Sequence, residues 1–216
     1  MAVTVEGYRT ILDVSVSHSE NEADYRRLFN RLKERGLTGV DLVISDDHEG
    51  LKNAIQGCFP GTSWQRCQVH FMRNLLMRVR KKDRGWILAL LKDVFAAADR
   101  QTALSRSRNL VDRLQQPYPQ IADWLEEDGT ETLTIYDFPE GHRRRCRTTN
   151  NIERLNQEIK RRTRVIRIFP NEASVLRMVS ALCQEQSETW ETERRYLIMD
   201  NTNDNAEVNK KIAKTG

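Results

Sequence analysis

A short apolar run, Leu42-Val43-Ile44, passes through Ser45 into two adjacent carboxylates, Asp46 and Asp47. A continuous apolar run of this length reads as a buried strand. Acids at the carboxyl end of such a strand sit where open α/β sheets place their ligands. The residues that follow predict a helix to about residue 56, with Asp46 or Asp47 as its N-cap. Pro60-Gly61 predicts a turn. Residues 63–69 then predict a second short strand that ends on Cys67-x-x-His70. Strand, acids, helix and strand point to an α/β fold organised around residues 41–74.

Two blocks of sequence carry a resemblance. The first is Asp46-x-His48-Glu49-Gly50-Leu51 followed by Phe59-Pro60-Gly61-x-x-Trp64-Gln65-Arg66-Cys67-x-Val69-His70-Phe71. The second is Thr148-Thr149-Asn150-x-Ile152-Glu153-Arg154-Leu155-Asn156-x-Glu158-Ile159-Lys160-Arg161-Arg162, then Ile168-Phe169-Pro170-Asn171. Together they resemble the signatures of bacterial Mutator-type insertion-sequence transposases, over roughly residues 2–196. The resemblance implies a ribonuclease-H-like α/β fold, a mixed sheet interrupted by an all-helical insertion. It implies an Asp, Asp, Glu triad that holds Mg²⁺ (or Mn²⁺) and cuts and joins DNA, both insertion-sequence ends and target DNA. Asp46 matches the second acid and Glu153 the third. Cys67, His70, Asn150 and Asn156 match residues expected to support the active site. A homo-oligomer in the bacterial cytoplasm, nucleoid-associated when bound to DNA, is implied as well. The family's first acid lies on a strand that would precede Met1, so this chain is expected to lack that strand and to be inactive, or nearly so, alone. Asp13 falls after the first hairpin turn and does not match it. The alternative is a non-catalytic fragment that binds DNA, or pairs with intact transposase and inhibits it.

The chain in order supports this layout. Residues 2–5 and 8–16 around Glu6-Gly7 predict a β-hairpin. Ser19 with Glu22 predicts a capping box for a helix with Tyr25, Leu28, Phe29 and Leu32 on one face, stopped at Gly36. Residues 71–129 carry successive helical stripes, among them Phe71, Leu75, Leu76 and Val79, then Trp86, Leu90, Leu91 and Val94. Residues 131–138 alternate Leu133 and Ile135 and predict a short extended segment. A last helix is expected over 171–196 with Val175, Met178, Val179 and Leu182 inward, and 201–216 reads as a polar, disordered tail. The expected organisation is one catalytic domain over 1–200. Within it, residues 1–70 supply the sheet, 71–140 the helical insertion, and 147–200 the catalytic and C-terminal helices.

No apolar run approaches the roughly 18 residues of a membrane span. The four cysteines are widely spaced and read as reduced thiols. Net charge is only +4, but between residues 141 and 168 ten bases face two acids. Arg143, Arg144, Arg145, Arg147, Lys160, Arg161, Arg162, Arg164 and Arg167 form a basic stripe suited to DNA phosphates.

Each candidate has a plainer reading. Asp46 could serve only as an N-cap. Asn150-x-x-Glu153 has capping-box spacing, although Ile152, Leu155 and Ile159 define a buried stripe beside which Glu153 could reach a metal. Cys67 and His70 are two of the four ligands a structural zinc needs. No matching second pair exists, and within a strand the two would face opposite sides. A core cysteine beside a hydrogen-bonded histidine stands as an equal alternative to the supporting role that the resemblance implies. The arginines could form a solvated face, and the four tryptophans fit a core better than a stacking platform.

Overall fold

A computed structural model describes residues 1–17 and 19–199. The expected tail over 201–216 lies outside the described residues. The fold is mixed α/β and mostly helical, with two small sheets. The chain divides into two compact units: Met1–Val14 with the segment from Pro170 onward, and Ser15–Phe169.

In the first unit, β1 (Ala2–Val3) and β2 (Arg9–Thr10) form the expected hairpin. The ladder is antiparallel but only two residues long, with Ala2 opposite Thr10. Helix α9 (Glu172–Thr192) starts at Asn171, whose side chain accepts from the Ser174 N–H at 2.9 Å. It buries Cys183 and Trp190. It ends before the expected residue 196, because Glu193 turns extended and Tyr196 and Leu197 donate instead to the Gly7 carbonyl at 2.7 and 3.1 Å. The Arg9 guanidinium lies over the Trp190 and Tyr196 rings and pairs with Glu193.

In the second unit, α1 (Glu22–Glu34) packs on α2 (Glu49–Cys58). The N-cap of α1 is Asn21, not Ser19: Asn21 Oδ1 accepts from the Asp24 N–H at 2.9 Å, while the Ser19 hydroxyl donates to the Asp24 carboxylate. Gly36, at φ 96°, closes the helix as expected. Gly36 N–H donates to Lys33 O and Leu37 N–H to Leu32 O, the paired bonds of a left-handed glycine stop. At Gly50 the requirement is space: a Cβ there would lie 2.8 Å from the Glu22 backbone nitrogen. Glycine lets α2 approach the start of α1.

Strands β3 (Leu42–Ser45) and β4 (Ser63–Arg66) pair in parallel. The order β-β-α-β-α-β expected from the sequence is present, but among the described residues the strands form two separate two-stranded sheets and not one mixed sheet. A two-stranded sheet is marginal alone, so β3 and β4 depend on what covers them.

That cover is helical: α3 (Gln68–Met77), α4 (Arg84–Phe95), α5 (Arg100–Leu114) and α6 (Pro119–Asp128). Phe71, Leu75, Leu91, Leu110 and Leu114 are fully buried, as expected from their spacing, whereas Leu76, Trp86 and Leu90 are half-buried and Ile87 takes the buried position one turn before Leu91. Residues 131–138 are not extended as expected; two 3-10 turns, Gly129–Thr132 and Thr134–Asp137, take their place. Buried amides of β4 and α3 take the backbone groups a ladder would have used. Gln65 donates to Thr132 O and accepts from the Ile135 N–H, and Gln68 donates to Thr132 O, all within 2.9 Å. Arg66, 2% exposed, pairs with Asp47 at 2.7 Å, Asp128 at 3.2 Å and Glu131 at 3.3 Å, under the stacked rings of Phe71 and Trp124. All four tryptophans are buried or half-buried, as expected. Helices α7 (Glu140–Cys146) and α8 (Asn150–Thr163) complete the unit. No helix of the described residues is long and apolar enough to cross a membrane.

Two substitutions test this packing in thermal and urea melts. Gly50→Ala forces a backbone-to-Cβ clash and is expected to cost about 1–3 kcal/mol. Arg66→Met leaves three half-exposed acids facing one another and is expected to cost about 2–3 kcal/mol, below the range for fully buried pairs. Unchanged midpoints would contradict the roles given to these residues.

Candidate active site

Ser45 stands beside Arg66 in the parallel register, so β3 and β4 end at the same level. The Cys67 N–H continues the pairing with a bond to Ser45 O at 2.8 Å. Asp46 leaves one strand where Cys67 leaves the other. The expected strand over 63–69 stops at Arg66, because Cys67 is already the N-cap of α3. His70 thus rises from the first turn of a helix, and the alternation that would have set it opposite Cys67 does not apply.

His70 stands between two carboxylates. Its Nδ1 contacts Asp46 Oδ1, and its Nε2 lies 3.0 Å from Glu153 Oε1. Thr149, the N-cap of α8, fastens this arrangement. Its N–H and hydroxyl approach Cys67 Sγ at 3.4 and 3.3 Å, and its hydroxyl lies 3.4 Å from His70 Nδ1. The Gln68 N–H donates to Arg147 O at 3.0 Å. The start of α8 is thereby pinned to the start of α3, and Glu153, one turn further on, meets His70. Thr149 lies inside the second sequence block, yet only the fold shows that it touches both Cys67 and His70.

The capping readings are settled by geometry. His48 caps α2 through Nδ1, which accepts from the Leu51 N–H at 3.2 Å; neither Asp46 nor Asp47 does. Helix α8 has Thr149 as its N-cap and no side-chain cap bond, so Glu153 is not a capping-box acid. The two adjacent acids divide their work: Asp47 turns to Arg66 and Asp46 to His70.

Burial is the main force raising the Asp46 carboxyl above its usual range; His70 opposes it and the nearby Glu153 carboxylate adds to it. Glu153 Oε1 is shut off from water and faces His70 Nε2 at 3.0 Å. A buried carboxylate is costly unless a proton donor or a cation faces it. Asp46, Cys67 and His70 also bring one ligand atom each within 4.8 Å of one another. The Asp46 carboxylate suits a hard cation, and the thiol and imidazole suit a softer one; Glu153 stands on the far side of the His70 ring, outside this trio. The donor set fits a divalent ion.

The family model described as Transposase, Mutator family matches residues 1–193. The chain belongs to the Mutator family of transposases. Among named relatives of this family, the transposase for insertion sequence element IS406 of Burkholderia multivorans is 41% identical over 91% of this chain and 51% of its own length. The transposase for ISRM5 of Rhizobium meliloti is 41% identical over 90% and 49%. The transposase for IS256 in transposon Tn4001 of Staphylococcus aureus is 38% identical over 93% and 52%. The chain spans about half the length of these Mutator-family relatives.

The other residues singled out in the sequence are more scattered. Asn150 and Asn156 stand exposed on α8, outside the Asp46–His70–Glu153 contact. Arg143 is engaged with the carbonyls of Ala98, Phe138 and Tyr136, and Arg147 reaches Phe95 O. Arg144, Arg145, Lys160, Arg161, Arg164 and Arg167 are exposed and Arg162 half-exposed. Arg161 and Arg162 both bond Glu158 and hold its carboxyl down at about 2. A depressed carboxyl keeps its ion pairs above its ordinary pKa and loses them as pH falls toward the lowered value. In an NMR titration the Glu158 midpoint should fall at about 2. With Arg161→Gln and Arg162→Gln together, that midpoint should return toward the ordinary glutamate value.

Proposed function

We propose that this chain carries the catalytic core of a transposase that cuts and joins DNA at insertion-sequence ends and target sites. Asp46 and Glu153 are the metal-holding carboxylates in this reading. The observation that supports it most is their convergence on His70 from two different elements in a chain of the Mutator family. The parallel β3–α2–β4 unit, with an acid at the end of β3 and another on a later helix, suits a ribonuclease-H-like framework.

Mg²⁺ or Mn²⁺ bound there would activate a water and stabilise the leaving oxygen of a phosphodiester. The chain's own residues do the positioning. Asp46 is held at the end of a paired strand and Glu153 one turn into a pinned helix. His70 touches both and fixes their separation, with Cys67 and Thr149 fixing His70 in turn. Asn150 and Asn156 flank Glu153 on α8. The exposed cations of α7, α8 and the residues after α8 carry the DNA backbone, and the working form is a homo-oligomer. Asp46 and Glu153 are two of the family's three acids in this reading.

Mn²⁺ binding followed by electron paramagnetic resonance tests the metal assignment. Asp46→Asn and Glu153→Gln should each weaken it by at least about tenfold, a loss that even outer-shell changes can cause, while duplex binding persists. Undiminished Mn²⁺ binding in both variants would remove the assignment. For DNA, Arg161→Gln with Arg164→Gln should lower the slope of log affinity against log salt by about 1.8, near 0.9 per phosphate contact.

A further inference from the structure

The residues directly after α8 combine features that neither the metal site nor core packing uses. Val165 and Ile168 are 81% and 83% exposed, and Ile166 is 44% exposed. Large aliphatic side chains projecting together into water mark an interaction surface. Their surroundings are cationic: residues 159–171 hold Lys160, Arg161, Arg162, Arg164 and Arg167 and no acid.

The shape of this segment is fixed. Arg164 N–H donates to Lys160 O, Ile166 N–H to Thr163 O, and Ile168 N–H to Ile166 O at 2.7 Å. The last bond closes a three-residue turn around Arg167, whose φ of 63° is the one positive value among described non-glycine residues. A γ-turn with positive φ is rare and strained, and glycine would relax it. The turn places an exposed arginine next to exposed Ile168 in the chain. Lys160, Thr163, Arg164, Arg167 and Phe169 line an open hollow of about 440 Å³ next to it.

Glu158 pairs with Arg161 and Arg162, which leaves Lys160, Arg164 and Arg167 exposed around the aliphatic side chains; this excess of positive charge selects a polyanion over a neutral surface. Aliphatic side chains flanked by arginines are the means by which architectural proteins enter the minor groove and part a base step. We propose that residues 164–168 form a DNA wedge. Val165 and Ile168 enter a base step of duplex DNA, and Arg164 and Arg167 hold the flanking phosphates. The inference rests on the DNA-binding reading above and adds duplex distortion to it. Glu153 on α8 and Arg164 at its C-cap are about 16 Å apart at 1.5 Å per residue, roughly five base steps at about 3.4 Å each. The wedge would open the duplex a fixed distance from the acids.

The test uses the full chain and duplexes carrying 2-aminopurine, with and without a single mismatch. The unmodified chain should raise 2-aminopurine fluorescence in matched duplex and prefer the mismatched one. V165S/I168S keeps every cation and alters only exposed side chains. It should retain the salt slope, melt at the same temperature, and lose both the fluorescence rise and the mismatch preference. If the double variant keeps both signals, the wedge is overturned and the DNA reading stands. If it changes the oligomeric state in sedimentation while the DNA signals persist, the patch joins copies of this chain and the wedge is likewise overturned. If the unmodified chain binds no duplex, the DNA reading falls and the wedge with it.

Discussion

A buried guanidinium holds the Ser15–Phe169 unit together. Arg66 ends β4, and its charge is compensated by acids from three places: Asp47 after β3, Asp128 at the end of α6 and Glu131 in the first 3-10 turn. Lys52 of α2 joins the same cluster through Glu131 at 2.6 Å. Desolvating a charge is expensive unless its partners are close and numerous. The geometry that satisfies Arg66 therefore also locks a two-stranded ladder, too short to stand alone, against the helices that cover it.

Polar groups do much of the joining in this unit, and that explains which segments of the sequence could be read. The Leu42–Ser45 strand, the helical stripes of Phe71 and Leu91, and the glycine stop at Gly36 follow from local apolar spacing and backbone freedom, and they stand where the sequence placed them. Residues 131–138 alternate like a strand. Their backbone partners, however, are the side-chain amides of Gln65 and Gln68, which local periodicity does not register. Capping misleads for a similar reason. His48 is outside the usual set of capping residues, yet its imidazole supplies the acceptor for α2. Asn21 takes the position that spacing assigned to Ser19.

The candidate site shows the same division. Asp46, Cys67, His70 and Glu153 are visible as motif residues, but their mutual contacts are not. Those contacts depend on where β4 stops and on Thr149 binding across to Cys67. Asp46 and Asp47 are indistinguishable to composition and nearly so to spacing. Arg66 distinguishes them by engaging one and leaving the other to His70.

The one-to-one pairing of Ser45 with Arg66 has a further consequence. In a strand, a slip of one residue turns every side chain to the opposite face. Such a slip would direct Asp47 toward His70 and strand Arg66 without its closest acid, so the misregistered state would carry both a misplaced carboxylate and an uncompensated buried charge. The correct acid reaches the imidazole only in the register that also neutralises the core. Assembly of the Asp46–His70–Glu153 cluster is thus tied to the register of the fold: a nascent or half-unfolded chain does not hold the two acids on one imidazole.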